Sequence, residues 1–195
     1  MEKTFLSDIQ EIRRRAQTHM ERGSVTPSYQ ADLPTVIRLL NEALATETVC
    51  VLRYKHHYLC ANGIHSESVA AEFLEHAAEE QDHADRIAAR IIQLGGNPNL
   101  NPEGLLSRSH SEYGAGERDE SLIEMIQEDL LAERIAIESY SEIVRYLGPR
   151  DPTSRRLLEE ILAKEEEHAE DMASLLQKFQ PNEVQSQKSD QKKSA

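Results

Sequence analysis

The chain has 195 residues, a formal net charge of −13, 5% aromatic residues and no Trp. This length suits a single domain with a substantial core, and the abundance of Leu, Ala, Ile, Glu and Arg favours helices over sheets. The acidic balance argues against a dedicated nucleic-acid-binding protein, which would usually present a basic face.

Neither a membrane protein nor a disulfide scaffold fits the sequence. No apolar run approaches the roughly 20 residues that span a bilayer, and the first residues lack a signal-peptide pattern. Cys50 and Cys60 are too few for a disulfide framework, and on one straight helix they would lie about 15 Å apart along its axis. We therefore expect a cytoplasmic protein without a membrane partner.

The first 31 residues are predicted to form a short helix followed by a linker. Ser7 and Gln10 have the spacing of a capping box, and an apolar stripe then continues to about Met20. The consecutive residues Arg13 to Arg15 favour a solvated or salt-bridged helix face. A contact with an anion or with DNA is the alternative interpretation of these arginines.

Four long amphipathic helices are predicted between residues 32 and 178. Asp32 is a good N-cap with Pro34 close behind it, and Gly-containing pairs follow the first three helices. The short first and last connections favour two antiparallel hairpins. The predicted helices span about 32–60, 66–94, 120–147 and 152–177.

A long connection joins the two predicted hairpins, from Asn97 to about Glu117, which is too long for an ordinary hairpin loop. Within it, Asn101 followed by Pro102 could cap and start a short helix. Residues 179–195 are polar, rich in Gln, Lys and Ser, and are expected to form a disordered tail. The fold class is therefore all-α: a four-helix bundle with a long crossover, preceded by an extra N-terminal helix.

A carboxylate and an imidazole lie together on the apolar face of the fourth predicted helix. Glu165 and His168 are three residues apart, so on an α-helix they project from one face on consecutive turns. Glu80 and His83 repeat this spacing on the apolar face of the second helix. One such pair is weak evidence in a chain rich in Glu. Two pairs on faces that should be buried need a common explanation.

Each pair has a further glutamate upstream of it. Glu47 precedes Glu80 by 33 residues and Glu133 precedes Glu165 by 32, and both lie on apolar stripes. The repeated order predicts that the two hairpins meet around one site.

Four glutamates in a dry bundle would repel one another, and each would be costly as an unpaired ion. Two divalent cations would neutralise them, with one imidazole for each cation. Oxygen and imidazole donors suit iron or manganese, whereas thiolates would point to zinc. The predicted metal ligands, which are also the predicted catalytic residues, are Glu47, Glu80, His83, Glu133, Glu165 and His168.

Several neighbours of these residues have open roles. Asp129 and His76 lie one turn before Glu133 and Glu80, where contact with the site, ion access or ordinary polar packing would each be reasonable. Tyr54 and Tyr140 could hydrogen-bond the ligand carboxylates, pass electrons or pack in the core. Cys50 is expected to be a small core residue rather than a ligand. The acidic residues predicted at the surface are Glu79, Asp82, Glu166, Glu167 and Glu170.

These motifs carry a family resemblance. Glu47, the stretch EQDHA at 80–84, Glu133 and the stretch EEEHA at 165–169 resemble bacterioferritin and related ferritin-like di-iron proteins over residues 32–178. The resemblance implies that Glu47 and Glu133 are terminal ligands, and that Glu80 and Glu165 bridge two irons. His83 and His168 would complete the two coordination spheres.

The activity that the resemblance implies is that of a ferroxidase. Two iron ions per subunit would be oxidised by oxygen or hydrogen peroxide and passed to a mineral inside a protein shell, for storage or detoxification. Manganese or zinc would be substitute ions.

Two features depart from bacterioferritin. Gln81 stands where bacterioferritin has its haem-ligating Met, so no haem is expected, and the polar tail does not favour a fifth helix. The N-terminal and crossover helices resemble the DNA-protecting Dps mini-ferritins, which are dodecamers, although their usual site lies between subunits. We therefore expect a Dps-like mini-ferritin with a bacterioferritin-type centre inside each subunit, and a homo-oligomeric shell, most simply a dodecamer.

Two alternative functions are also compatible with the sequence. One is a di-iron or di-manganese peroxidase or catalase-like enzyme that stores no metal. The other is a DNA-associated stress-protection protein, supported by the Arg13 to Arg15 cluster and by the lysines of the tail but opposed by the net charge of −13.

Overall fold

The computed structural model describes residues 8–63, 66–114 and 121–179, and all regular structure in these ranges is helical. The four long helices begin and end close to their predicted bounds, so the prediction of an all-α four-helix bundle is confirmed. The α-helices are α1 (Ile9–Ala16), α2 (Leu33–Cys60), α3 (Ser66–Gln93), α4 (Leu105–Arg108), α5 (Leu122–Leu147) and α6 (Pro152–Phe179), with a 3₁₀ turn at Met20–Arg22.

Local sequence signals explain where the long helices begin. The Asp32 side chain accepts a hydrogen bond from the Thr35 amide at 3.2 Å, and Pro34 lies in the first turn of α2. Ser121 and Glu124 form a reciprocal capping box at the start of α5. This cap places the first helical residue slightly after the predicted start.

Helix α2 packs on α3 and α5 packs on α6, so the two hairpins exist as predicted, and α2 also contacts α5 while α3 contacts α6. The core consists of two apolar clusters along the bundle. One is built around Leu40, Ile87 and Leu158. The other is built around Phe73 and Met172. The predicted ligands lie between these clusters along each helix, at the middle of the bundle.

The N-terminal segment differs in detail from the prediction. Asp8 caps α1 by accepting from the Gln10 amide at 2.8 Å, whereas Ser7 was expected to do so and lies outside the described residues. Helix α1 ends at Ala16 rather than near Met20 and buries no residue. An ion pair joins Arg14 to Glu11 at 2.7 Å, as the salt-bridged interpretation of the arginines expects.

The linker after α1 is tied to the bundle. Val25 is buried in the first apolar cluster, and Tyr29 donates a hydrogen bond to Asp151 at 2.9 Å. The Ser24 hydroxyl donates to the carbonyl of Gln93 at 2.8 Å. This segment therefore covers one end of the bundle.

The crossover contains the predicted short helix, but the helix starts later than expected. Gly104, with a φ of 71°, precedes α4, whereas Asn101 accepts from the Glu103 amide at 3.0 Å and shapes the turn before it. Amide groups of the crossover donate to Asn41 and Thr46 on α2. Residues 115–120 and the predicted tail beyond Phe179 lie outside the described residues.

Within the described ranges, no helix is both long enough and apolar enough to cross a membrane.

Candidate metal centre

The bundle brings together all six side chains that the sequence singles out. Each of these residues is at most 2% exposed, and together they are called the carboxylate centre below. Its donor atoms form two overlapping groups, and within each group the atoms lie within 4.8 Å of one another. Both groups contain Glu80 and Glu165. The groups are Glu47, Glu80, His83 and Glu165, and Glu80, Glu133, Glu165 and His168.

One nitrogen of each histidine faces the carboxylates. Nδ1 of His83 lies 3.0 Å from Glu165 Oε1, 3.4 Å from Glu47 Oε2 and 3.5 Å from Glu80 Oε2. Nδ1 of His168 lies 3.2 Å from Glu80 Oε1. The two imidazole rings are 6.1 Å apart between centroids. Each histidine therefore serves one of the two donor groups.

Glu79 fixes the orientation of His168, a role that the sequence analysis missed. Glu79 is predicted at the surface and apart from the site; its side chain is 34% exposed, but Glu79 Oε2 lies 2.7 Å from His168 Nε2, so the second part of that prediction is wrong. Lys164 lies 3.5 Å from the other carboxylate oxygen. A carboxylate on Nε2 keeps a proton there, so it is Nδ1 that would offer a lone pair to a cation at the centre once it has released its own proton.

Two tyrosines support the centre in a reciprocal arrangement. Tyr54 of α2 donates a hydrogen bond to Glu133 of α5, and Tyr140 of α5 donates one to Glu47 of α2. Both tyrosines are at most 1% exposed. Of the roles left open for them, hydrogen bonding to the carboxylates is the one that the geometry shows.

The electrostatics follow from burying four carboxylates together. Burial, and then repulsion from Glu80, raises the pKa of Glu47 and that of Glu165 well above the ordinary glutamate value. The same two causes raise the pKa of Glu133 to about 7. These three carboxylates therefore favour their protonated forms towards neutral pH.

At Glu80 and the two histidines, by contrast, neighbouring groups favour the charged form of the side chain. Burial opposes ionisation of Glu80, but its interactions with Glu47, His168 and His83 lower its pKa below the ordinary value. Burial lowers the pKa of His83, yet the neighbouring carboxylates of Glu47 and Glu80 prevail and raise it to about 10. Burial likewise opposes the charge on His168, but Glu80 and Glu133 raise its pKa to about 9. A divalent cation would have to displace these protons.

Several atoms of the centre have no hydrogen-bond partner among the described residues. They are Glu47 Oε2, Glu80 Oε2, Glu133 Oε2, His83 Nδ1 and both carboxylate oxygens of Glu165. Buried polar atoms in this condition are costly, and native proteins usually satisfy them with water or an ion. Two groups of oxygen donors, each with one imidazole, could hold two divalent cations of the iron or manganese type.

His76 adjoins the centre. It is 2% exposed, and its ring stacks on that of His168 at 4.0 Å between centroids. Its Nδ1 lies 3.1 Å from the Tyr54 hydroxyl oxygen. Burial and the nearby charge of His168 lower the pKa of His76 to about 4.

The two cysteines are free, and Cys50 is buried, as expected of a small core residue. Burial, and then repulsion from Glu80, raises the pKa of its thiol well above the ordinary value. A neutral thiol is a weak ligand, since metals bind the thiolate.

A second buried polar cluster lies between α2 and α5, further along the bundle. Asp129 Oδ2 lies 2.8 Å from His57 Nδ1, so Asp129 packs in this cluster and not in the carboxylate centre. Arg53 Nε lies 3.6 Å from Glu128 Oε1. The guanidinium also donates to the carbonyl of Glu112 in the crossover. The Arg53 cluster, as it is called below, consists of Arg53, His57, Glu128 and Asp129.

Comparison with known proteins places the chain among ferritin-like proteins. A family profile described as a ferritin-like domain matches residues 37–181. The chain is 36% identical over 138 residues to the bacterioferritin of Brucella melitensis, which covers 69% of this chain and 78% of that protein.

Two solved structures are similar in fold. One is a dodecameric thioferritin, the bacterioferritin-related protein from Bacteroides fragilis, with a TM-score of 0.74 and 33% identity over 77% of this chain and 89% of that one. The other is Dps from Thermosynechococcus elongatus, with a TM-score of 0.70 and 19% identity over 73% of this chain and 90% of that one. At that identity the second likeness concerns the fold alone.

Proposed function

This chain belongs to the ferritin-like domain family, and on that premise we propose that it oxidises ferrous iron at the carboxylate centre. Its bacterioferritin relatives and its ferritin fold support iron storage with ferroxidase activity as the general function. The observation that carries the specific proposal is the pair of overlapping donor groups that share Glu80 and Glu165.

In this proposal the two shared carboxylates would help to hold both iron ions. Glu80 and Glu165 belong to both donor groups, whereas Glu47 and Glu133 belong to one group each. Glu47 with His83 would bind one ferrous ion, and Glu133 with His168 the other. Manganese or zinc ions would be substitutes that occupy the same donors.

The oxidation itself transfers one electron from each ferrous ion to oxygen or hydrogen peroxide. The surrounding residues hold the ligands in place for this reaction: Tyr54 and Tyr140 restrain Glu133 and Glu47, and Glu79 sets the tautomer of His168. Binding of ferrous ions releases the protons that the metal-free centre holds.

The proposed reaction is tested by removing the shared carboxylates. The double variant Glu80→Gln/Glu165→Gln should oxidise ferrous iron no faster than buffer, because each ion loses two donors. The matched control is Glu166→Gln, which changes an exposed carboxylate next to Glu165. Ferric absorbance and oxygen consumption after mixing with ferrous iron report the rate. A double variant that keeps the full rate would show that other residues oxidise the iron.

We also propose that the chain assembles into a closed shell. The relative from Bacteroides fragilis is dodecameric, and this chain covers 89% of it, which favours about 12 subunits. Native mass spectrometry and iron content after aerobic loading test this proposal. A dimer that turns over peroxide without accumulating iron would instead favour the peroxidase alternative.

The absence of haem is part of the proposal. Gln81 is exposed, donates a hydrogen bond to Asp85 at 3.0 Å and has no thioether to ligate haem iron. The purified protein reconstituted with haemin should show no haem absorbance after gel filtration.

A further inference from the structure

A further group of metal-ligating side chains lies beside the carboxylate centre. Glu72 and His76 are one turn apart on α3, and Asp171 approaches them from α6. Nε2 of His76 lies 3.7 Å from Glu72 Oε1 and 3.7 Å from Asp171 Oδ2. The donor atoms of the three residues, called the outer triad below, lie within 4.8 Å of one another.

The outer triad reaches from the surface to the interior. The side chains of Glu72 and Asp171 are 35% and 44% exposed, whereas that of His76 is 3% exposed. An ion in solution can therefore reach the two carboxylates directly. The imidazole faces them from the buried side.

Hydrogen bonding determines which nitrogen of His76 faces the carboxylates without a proton. The Tyr54 hydroxyl donates its proton to Glu133, so the oxygen of that hydroxyl can only accept from His76 Nδ1. In a neutral ring Nε2 then presents a lone pair to Glu72 and Asp171. A proton on Nε2 as well would place a cationic ring in stacking contact with His168, 4.0 Å away.

Three lone pairs thus converge without a proton between them. The nitrogen-to-oxygen distances of 3.7 Å are too long for hydrogen bonds, and the two carboxylates repel each other. Two carboxylates and one neutral imidazole are a suitable donor set for a divalent transition-metal ion. A cation of this class would remove the repulsion.

The outer triad also shares a residue with the interior. His76 forms another group of donors with Glu133 and His168, again within 4.8 Å of one another. One imidazole therefore borders both the exposed carboxylates and the carboxylate centre.

We propose that Glu72, His76 and Asp171 form a third divalent-cation site, which binds ferrous iron next to the carboxylate centre and supplies it. The supply role rests on the proposed ferroxidase function, whereas the binding of a cation by the outer triad does not.

The binding is tested with Co²⁺, which oxygen oxidises less readily than ferrous iron. The assembled protein, freed of metal by a chelator, is titrated with Co²⁺ in the presence of salt, and the number of tightly bound ions per chain is measured by equilibrium dialysis. We expect three for the wild type and two for Glu72→Gln/Asp171→Asn. The control Glu75→Gln/Glu170→Gln removes two exposed carboxylates from the same helices and should still bind three.

The same titration separates this proposal from the ferroxidase proposal. Glu80→Gln/Glu165→Gln should keep only the ion of the outer triad. A wild type that binds two ions, both lost in that variant and neither lost in Glu72→Gln/Asp171→Asn, would overturn the third site and leave the ferroxidase proposal standing. One ion, lost only in Glu72→Gln/Asp171→Asn, would support the outer triad and count against the carboxylate centre. Circular dichroism verifies that each variant is folded.

The supply role has its own kinetic signature. Glu72→Gln/Asp171→Asn should raise the ferrous concentration that gives half the maximal oxidation rate several-fold, while the rate at saturating iron stays the same. This split is expected because the variant retains every residue of the carboxylate centre. An unchanged half-saturating concentration would overturn the supply role.

Discussion

The carboxylate centre and the Arg53 cluster both join α2 to α5, and both bury carboxylates, yet their charges are balanced differently. The Arg53 cluster contains its own cation, since Arg53 is 1% exposed and its guanidinium lies 3.6 Å from Glu128. The carboxylate centre has four carboxylates and two histidines but no Lys or Arg among them. Its charge can be balanced only by protons or by ions from outside.

The difference separates a structural cluster from a binding site. Arg53 also holds the crossover by donating to the carbonyl of Glu112 and to the Ser111 hydroxyl at 3.4 Å. A cluster that contains its own cation stabilises the fold without a ligand. A cluster that lacks one gains stability when a cation binds.

Removing the internal cation should have the largest effect on the metal-free protein. Arg53→Met leaves the carboxylates of Glu128 and Asp129 without their guanidinium, and we expect the free energy of unfolding to fall by about 3–5 kcal/mol. Urea unfolding at fixed protein concentration measures it. Arg38→Met, which breaks the exposed Arg38–Glu42 ion pair, should cost no more than about 1 kcal/mol. Equal losses in the two variants would contradict the comparison.

Supplying the external cation should have the next largest effect. At a free metal concentration 100 times the Kd, each bound ion should stabilise the wild type by about 2.7 kcal/mol. Thermal unfolding with and without Co²⁺ measures the gain. Glu80→Gln/Glu165→Gln should lose most of it, while its metal-free form should be as stable as the wild type or more so, because buried charge is removed. A metal-free variant that is strongly destabilised would mean that these carboxylates support the fold directly.

Changing the support of one ligand should have a smaller effect. Glu79→Ala removes the carboxylate from Nε2 of His168, and we expect metal affinity to fall about 10- to 100-fold. Glu167→Ala is the matched control, since Glu167 pairs with the same Lys164 at 2.7 Å, whereas the carboxylate on Nε2 of His168 is that of Glu79. Titration with Co²⁺ compares the two. Similar affinities in both variants would assign Glu79 to surface ion pairing alone.

The pH dependence should be the most gradual effect. The pKa of Glu133 rises from 4.5 to about 7, so its buried charge destabilises the fold increasingly across that interval. The pKa values of His83 and His168 rise from 6.5 to about 10 and about 9, so their stabilisation is complete below pH 6.5 and is lost as the pH rises through those values.

The stability of the metal-free protein should therefore decline from about pH 5 to about pH 9. Since bound metal replaces these protons, the Co²⁺-loaded protein should show a flatter profile, and Co²⁺ affinity should increase with pH. Melting temperatures of both forms across this range measure the difference. Parallel profiles would mean that the ion binds elsewhere.

Much of the fold and of the candidate site was predictable because it depends on local patterns. Asp32 and Pro34 mark the start of α2, and a spacing of three residues is enough to place Glu165 and His168 on one face. The short helix in the crossover was predicted too, but the predicted position of its first residue was wrong. The choice between Asn101 and Gly104 depends on how the crossover packs on α2, through contacts such as the one from the Asn99 amide to Asn41 at 2.7 Å.

The sequence by itself determined the family, the four helices and the six side chains that face the interior, because the helical period is a local property of the chain. Only the tertiary structure decided that Glu79 orients His168 and that Asp171 lies close to His76. It also decided that Tyr54 and Tyr140 each donate a hydrogen bond to a carboxylate on the other's helix. These contacts depend on the rotation and register of one helix against another. Packing across the whole bundle sets that register, and no spacing within a single helix encodes it.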